Sequence, residues 1–137
     1  MKQTICGSFG VIGSFLAYLL GGWDSVISTL LIFMVIDYVS GLLLAGVFHA
    51  SPKTDSGTLA SRTGWKGLTK KGMTLLIVVI AVRLDMILGT SYIRDGVCIA
   101  FMVNETLSII ENAGLMGVPI PNKLKQSIEM LQDKGGE

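Results

Sequence analysis

Residues 25–48 read SVISTLLIFMVIDYVSGLLLAGVF, and Asp37 is the one charged side chain in this stretch. A helix that crosses a bilayer needs about 20 consecutive, mainly apolar residues, so the stretch is long enough to span a membrane. Trp23 precedes it and has an amphipathic ring of the kind found at the membrane–water boundary. This part of the sequence therefore predicts a transmembrane helix over about residues 23–48.

The composition of the whole chain also indicates a membrane protein. Of its 137 residues, 50% are hydrophobic and 15% are charged, whereas soluble domains carry about 25% charged residues. A chain this short has too little interior to bury so much apolar surface, so a water-soluble monomer is nearly excluded. The net charge of +1 argues against nucleic acid as a partner.

Other apolar stretches predict helices at about residues 5–20, 72–88 and 95–115, and a short amphipathic tail helix is predicted at about 122–134. The predicted fold class is all-α, a single membrane domain over residues 1–137 with three or four transmembrane helices. The first stretch is slightly short for a span. A short span is the preferred interpretation, and a surface-lying helix or a cleaved signal peptide are the alternatives.

A long polar segment, predicted as a loop over residues 49–71, separates the second and third helices. Short loops rich in Lys and Arg stay in the cytoplasm, and this segment contains five such residues: Lys53, Arg62, Lys66, Lys70 and Lys71. With four spans, Lys2 and the lysines of the tail lie on the same side. We therefore expect four spans, with both termini in the cytoplasm.

Charged residues also occur inside the predicted spans. Counting 1.5 Å per residue from the cytoplasmic helix ends places Asp37, Arg83 and Glu105 about 15 to 17 Å deep, near the middle of the hydrocarbon core. Lone charges are costly there, so we expect Arg83 to pair with Asp37 or Glu105 and clasp the helices together. The alternative is a polar stripe at a subunit boundary or a pore. Arg83→Ala is expected to be far more harmful than Lys70→Ala.

One clasp cannot satisfy every polar side chain in these helices. Asp85 lies on a different helix face from Arg83, and Asn104, Ser108 and Glu111 form a second stripe at helical spacing. This surplus predicts contacts between copies of the chain, or a water-filled lumen. Small residues are the candidates for close helix contacts: Gly7, Gly10, Gly13, Gly41 and Ala45.

The sequence lacks the usual signatures of catalysis and of cofactor binding. The one histidine and two cysteines do not have the spacing of a metal site, and no nucleotide-binding glycine pattern occurs. Glu105 and Glu111 are six residues apart and so lie on different faces of a helix. We therefore expect no enzyme activity, no cofactor and no metal.

Three segments resemble the toxin secretion and phage lysis holin family. They are DYVSG at residues 37–41, GWKGLTKK at 64–71, and the pattern NExxSIxENAGxxGVPxP at 104–121. The likeness runs in order from about Trp23 to the tail.

This resemblance implies a phage-encoded protein of the bacterial inner membrane that accumulates harmlessly, then forms homo-oligomers and opens holes at a set time. The holes release a cytoplasmic endolysin, without a required direct contact, or in relatives a large toxin. The other partner is the lipid bilayer. The helices at residues 73–88 and 97–115 are the strongest candidates for lining the hole.

Two other interpretations remain open. One is a small proton-coupled multidrug transporter that uses Glu105 or Asp37, and the other is an antiholin or assembly subunit of the same fold.

Overall fold

The computed structural model describes residues 1–135, and all of the regular structure in that range is α-helical. The helices are α1 (Lys2–Leu19), α2 (Ser25–Gly46), α3 (Ser61–Leu88), α4 (Ile93–Leu115) and α5 (Asn122–Gly135). The predicted all-α class is confirmed. The helices predicted at 5–20, 23–48, 95–115 and 122–134 agree with α1, α2, α4 and α5 to within three residues at each end.

α2 is the helix that best fits a membrane span, and its first turn is capped. Asp24 accepts a hydrogen bond from the Ile27 amide at 3.0 Å, which satisfies one of the free amides at the helix start. Of the helices within residues 1–135, α2 alone is long and apolar enough to cross a membrane, judged by length and composition. The number of spans stays a prediction.

α3 begins well before the predicted residue 72. It starts at Ser61, so the connection after α2 covers residues 47–60 and not the predicted 49–71. Glycine costs about 1 kcal/mol in a helix interior, but Gly64 and Gly67 lie where α3 passes Tyr38 of α2. A Cβ on Gly64 would lie 3.4 Å from Tyr38 Oη, and one on Gly67 would lie 3.8 Å from Tyr38 Cε2. Both glycines therefore lie on the face of α3 that contacts Tyr38, where a side chain larger than alanine would have little room.

α4 is the central helix of the bundle. α2 and α3 both pack along it and α5 packs against it, whereas α2 and α3 touch each other little. The apolar core lies toward the end of the bundle where α2 begins. Burying each large apolar side chain there stabilises the fold by about 1.5 to 3 kcal/mol. Its fully buried members are Ile27, Leu30, Val78 and Cys98.

A tight turn joins α3 to α4. Gly89 ends α3 in the left-handed conformation with φ of 66°, which glycine adopts without a Cβ clash. Asp85 accepts a hydrogen bond from Thr90 Oγ1 at 2.5 Å. It also accepts from the amides of Ile93 at 3.0 Å and Arg94 at 2.9 Å. A side chain of α3 therefore caps the start of α4.

α1 stands apart from the other helices. None of its residues is buried, and it forms no extended interface with another helix of the described chain. Phe9 is 72% exposed and Phe15 is 59% exposed. A Cβ on Gly7, Gly10 or Gly13 would have no atom within 4 Å. The close contacts predicted for these glycines therefore do not occur within one described chain.

Candidate functional site

Three charged side chains from three helices meet inside the bundle. Lys71 Nζ of α3 lies 2.7 Å from Asp37 Oδ2 of α2 and 2.7 Å from Glu105 Oε2 of α4. The three side chains are only 10% to 15% exposed. We call Asp37, Lys71 and Glu105 the ionic triad. One ammonium bridges two carboxylates, so the triad carries one formal negative charge.

An amide and a hydroxyl extend the ionic triad along α2 and α4. The buried Asn112 donates through Nδ2 to Ser40 Oγ at 2.9 Å and to Asp37 Oδ1 at 3.5 Å. Ser40 Oγ in turn donates to the Asp37 carbonyl at 2.9 Å. Gly41 faces the same amide, and a Cβ there would lie 3.8 Å from Asn112 Nδ2, in ordinary van der Waals contact.

The ionic triad holds the three helices in one arrangement. Charge-assisted hydrogen bonds are the strong ones, and removing one partner from a buried ion pair leaves the other charge without compensation. Sliding or rotating α3 away from α2 and α4 would strand two carboxylates in surroundings with little water. The triad therefore favours a closed bundle.

Arg83, predicted to belong to this layer, lies elsewhere. Its side chain is exposed, and its Nη1 donates to Met86 Sδ at 3.6 Å. The predicted pairing with Asp37 or Glu105 is wrong. The depth of Arg83 was counted from about residue 72, where the apolar stretch starts, but α3 begins about three turns earlier, at Ser61. Arg83 follows Lys71 by twelve residues, which is about 18 Å further along the helix. Lys71, and not Arg83, is the cation that pairs with Asp37 and Glu105.

A second ionic cluster lies at the end of the bundle where α2 begins. Arg94, whose side chain is 8% exposed, donates to the Leu20 carbonyl at 2.9 Å and the Gly22 carbonyl at 3.1 Å. Its Nη1 also lies 2.5 Å from Asp24 Oδ2. Asp85, predicted to join the intramembrane layer, belongs to this end through its bond with the Arg94 amide. The cluster ties α4 to the connection before α2.

Asp24 is the exposed member of this second cluster. Hydrogen bonds from the Arg94 guanidinium hold the pKa of the Asp24 carboxyl below its usual value, against an opposing effect of burial. Asp24 therefore stays ionised at neutral pH, both as a partner of Arg94 and as the cap of α2.

The second predicted polar stripe is divided between two environments. Ser108 is half-buried and lies at helical spacing from Glu105 and Asn112, on the face of α4 that carries the ionic triad. Asn104 and Glu111 are exposed and share the outer face of the helix. The outer face of α4 thus presents two polar groups to its surroundings.

Four of the five predicted topology-setting residues are exposed at the end of the molecule where α2 ends and α3 begins. Lys53 lies in the 47–60 connection, and Arg62, Lys66 and Lys70 lie in the first turns of α3. Lys71 is the exception because it belongs to the ionic triad. Among the candidate packing residues, Ala45 is buried.

Asn112, Lys71 and Arg94 make contacts that were not predicted from the sequence. Sequence spacing indicates the position of Asn112, but not those of the other two. Asn112 follows Glu105 by seven residues, which places both on one helix face. Lys71 is next to Lys70 in the sequence, and both belong to the basic segment predicted as a loop. Nothing in the sequence therefore distinguishes the two lysines. Arg94 is 70 residues from Asp24, and no local pattern connects the two.

The three segments that resemble the holin family converge on the ionic triad. The segment at 37–41 contributes Asp37 together with Ser40 and Gly41. The segment at 64–71 contributes Lys71 and the glycines that face Tyr38, whose hydroxyl donates to the Gly64 carbonyl at 3.4 Å. The segment at 104–121 contributes Glu105 and Asn112. Residues far apart in the sequence thus form one site.

The helical fold and the ionic triad together define the structural class of this protein. The protein is a small all-helical one with many exposed apolar side chains, whose three central helices are joined by a buried ionic cluster. Within residues 1–135, no group of three or more His, Cys, Asp or Glu side chains could hold a metal ion.

Comparison with known proteins gives the family. The sequence model of the bacteriophage holin family matches residues 14–133, so the chain belongs to that family and the resemblance of the three segments is confirmed. Membership indicates a location in a bacterial membrane. The ionic triad and the Arg94 cluster both lie within the matched range.

Several relatives cover nearly the whole chain. An uncharacterized protein of Listeria monocytogenes is 39% identical over 132 residues, which is 94% of this chain and 89% of the relative. An uncharacterized 14.9 kDa protein of Clostridium perfringens is 37% identical over 125 residues, 90% of this chain and 89% of its own length. A probable holin of Bacillus phage phi105 is 28% identical over 117 residues, 85% of this chain and 80% of the relative. No solved structure matches the chain.

Proposed function

We propose that this protein is a holin, which oligomerises in the bacterial inner membrane and opens timed holes that release a cytoplasmic endolysin or a large toxin. The observation that carries the proposal is the family match over residues 14–133. Its similarity to a probable holin of phage phi105 also supports it. No catalytic step and no cofactor are part of the proposal.

The proposal includes four membrane-spanning helices, α1 to α4. α2 has the required length and apolarity by itself. In α3, the large side chains of Leu76, Ile80 and Ile87 are more than half exposed, and a continuous apolar surface of this kind is unfavourable in water. The Lys71 charge is sheltered within the ionic triad, which lowers the cost of placing α3 in lipid.

The direction of the helices also supports four spans. Asp24 contacts Arg94 at one end of α2 and α4, and Ser40 contacts Asn112 toward the other end. α2 and α4 therefore run parallel, as they must if α3 crosses back between them. The exposed basic residues at the end where α2 finishes support a cytoplasmic location for that end, by the positive-inside rule. With four spans, both termini share that side.

The charges of the protomer support an inert resting state. Lys71 bridges Asp37 and Glu105 inside the chain, so these three charges can remain in a bilayer without a partner molecule. Asn104 and Glu111 on α4 are exposed, and polar groups that face lipid are costly. In the proposed oligomer they face another copy or the water of the hole, with residues 73–88 and 97–115 as lining helices.

The small-residue face of α1 supports close contact with another copy. Gly7, Gly10 and Gly13 have open space around them, and small residues let two helix backbones approach closely in lipid. In this proposal α1 uses that face between protomers, since it forms no extended interface with a helix of its own described chain.

Expression in bacteria with a cytoplasmic endolysin tests the proposed function. We expect growth to continue until the membrane potential collapses abruptly, followed at once by loss of culture turbidity. A catalytically inactive endolysin is the matched control: the potential should still collapse, while turbidity is retained. These two readings separate hole formation from cell-wall digestion.

Other outcomes would replace the proposal. Slow growth with an intact potential, or delayed lysis when a lytic holin is present, would identify an antiholin or assembly subunit. Efflux of an organic cation that depends on the proton gradient, with no loss of potential, would identify a transporter.

A further inference from the structure

A cavity of about 220 Å³ lies between α2 and α3. It exists because both helices pack on α4 and touch each other little. Asp37, Lys71 and Glu105 line one part of it, and residues 51–54 with Leu59 and Ala60 of the connection line another. The cavity therefore extends from the ionic triad to the basic end of the molecule.

The wall of the cavity also carries basic and hydroxyl side chains. Lys53 and Lys70 line it, together with Ser51, Thr54 and Thr63. Lys71 is already paired with two carboxylates, so the positive charge available to a ligand comes from Lys53 and Lys70. The start of α3 has no side-chain cap, and the uncapped amides of a helix start favour an anion.

Thr54 gives an independent sign that a ligand completes this site. Its Oγ1 is buried, and it has no hydrogen-bond partner among the described residues. Leaving a buried hydroxyl without a partner is unfavourable. A ligand with an acceptor oxygen beside Lys53 and Lys70 would accept this hydrogen bond.

The remaining wall is apolar and open to the outside. Leu42 and Leu59 line the cavity and are 40% and 59% exposed. A ligand that fits this combination has an anionic head with acceptor oxygens and an apolar body beside it. The exposed lysines at the same place oppose the entry of a cation.

We propose that this cavity binds the headgroup of an anionic phospholipid from the cytoplasmic leaflet. The phosphate lies within reach of Lys53 and Lys70, which both line the cavity, and Thr54 Oγ1 donates a hydrogen bond to a phosphate oxygen. An acyl chain follows Leu42 and Leu59. The inference rests on the proposed membrane location and orientation, but not on the ability to form holes.

Lipid binding to the purified full-length protein in neutral detergent tests the inference. The probes are phosphatidylglycerol and phosphatidylcholine with the same acyl chains, read by native mass spectrometry and by the thermal unfolding midpoint. We expect phosphatidylglycerol to be retained and to raise the midpoint, and phosphatidylcholine to do neither. Lys53 and Lys70 line the cavity, and a hydrogen bond to a charged group contributes about 1.5 to 3 kcal/mol, so Lys53→Gln with Lys70→Gln should weaken binding by about tenfold or more.

Arg62→Gln with Lys66→Gln is the matched control, because it removes the same charge from exposed residues that do not line the cavity. It should leave binding within about twofold. Thr54→Val should keep the unfolding midpoint without lipid but reduce the increase caused by phosphatidylglycerol. If phosphatidylglycerol raises the unfolding midpoint of Thr54→Val as much as that of the unchanged protein, Thr54 does not donate a hydrogen bond to the phosphate.

Three results would overturn the lipid site. They are an equal loss of binding in both double variants, equal retention of phosphatidylcholine, and the same stabilisation by inorganic phosphate alone. Each of these leaves the endolysin assay unaffected. Conversely, failure to lyse cells with phosphatidylglycerol binding intact would count against the holin proposal alone.

Discussion

Lys70 and Lys71 are neighbours in the sequence with opposite environments. One helical residue turns the side chain by about 100°, which is enough to point Lys71 into the ionic triad and leave Lys70 exposed. The two lysines cannot be told apart in a basic segment of sequence. The rotation of α3 about its own axis decides which of them enters the ionic triad.

Replacing each lysine by methionine tests this difference at the residue scale. Lys71→Met should destabilise the protein by about 3 to 5 kcal/mol, because it leaves Asp37 and Glu105 buried without a cation. Lys70→Met should change stability by less than about 0.5 kcal/mol, as is usual at an exposed position. The measurement is unfolding of the purified protein in lipid-free neutral detergent.

A charge-free triad provides the second comparison. Combining Lys71→Met with Asp37→Asn and Glu105→Gln should recover much of the lost stability, since no buried charge is then left alone. If the triple variant is as unstable as Lys71→Met, or if Lys70→Met is equally harmful, the ionic triad does not hold the bundle in the way described.

At the scale of elements, the start of α3 is where prediction and structure differ most. Residues 61–71 are polar and contain two glycines, which makes them resemble a loop, yet they form three turns of helix. Packing of Tyr38 against Gly64 and Gly67 stabilises this extension. Without it, Lys71 would lie at a helix end and could not reach both carboxylates.

Gly64→Leu, with Gly72→Leu as its control, tests the contact between α2 and α3. Gly64→Leu should destabilise the protein by about 1 to 3 kcal/mol, because a Cβ there would already touch Tyr38 Oη at 3.4 Å and the rest of the leucine needs further space. A Cβ on Gly72 of the same helix would meet no atom within 4 Å, so Gly72→Leu should be neutral or slightly stabilising. Thermal unfolding of the two proteins gives the comparison, and equal midpoints would argue against a close contact at Tyr38.

At the scale of the whole molecule, the exposed polar face of α4 predicts contact between copies. In a Cys6→Ser background, Asn104→Cys places a thiol on that face, while the native Cys98 is fully buried and serves as the unreactive control. Each chain then has one reactive thiol, so cross-linking in membranes should give a covalent dimer for Asn104→Cys after triggering, and a monomer for the background protein.

The same experiment can reject the oligomeric hole. A monomer band for Asn104→Cys both before and after loss of the membrane potential would show that the outer face of α4 meets no second copy. An identical dimer band in the Cys6→Ser background would show that the cross-links do not report on this face.

Composition and periodicity are local properties, and they were enough to predict the all-α class and four of the five described helices to within three residues. The holin family was indicated separately, by the resemblance of three short segments. Composition and periodicity also placed Asp37 and Glu105 at one level, because both lie near the middle of well-bounded apolar helices. The same count gave the wrong depth for Arg83, because the apolar stretch of α3 is shorter than the helix that contains it.

The pairing of charges depended on how the helices are rotated and aligned against one another. Lys71 is 34 residues from each of its two carboxylate partners, and Arg94 is 70 residues from Asp24. No repeat or spacing in the chain encodes such distances. The way α2 and α3 pack against α4 decides which side chains face one another, and this packing brings Lys71, rather than Lys70 or Arg83, to the two buried acids.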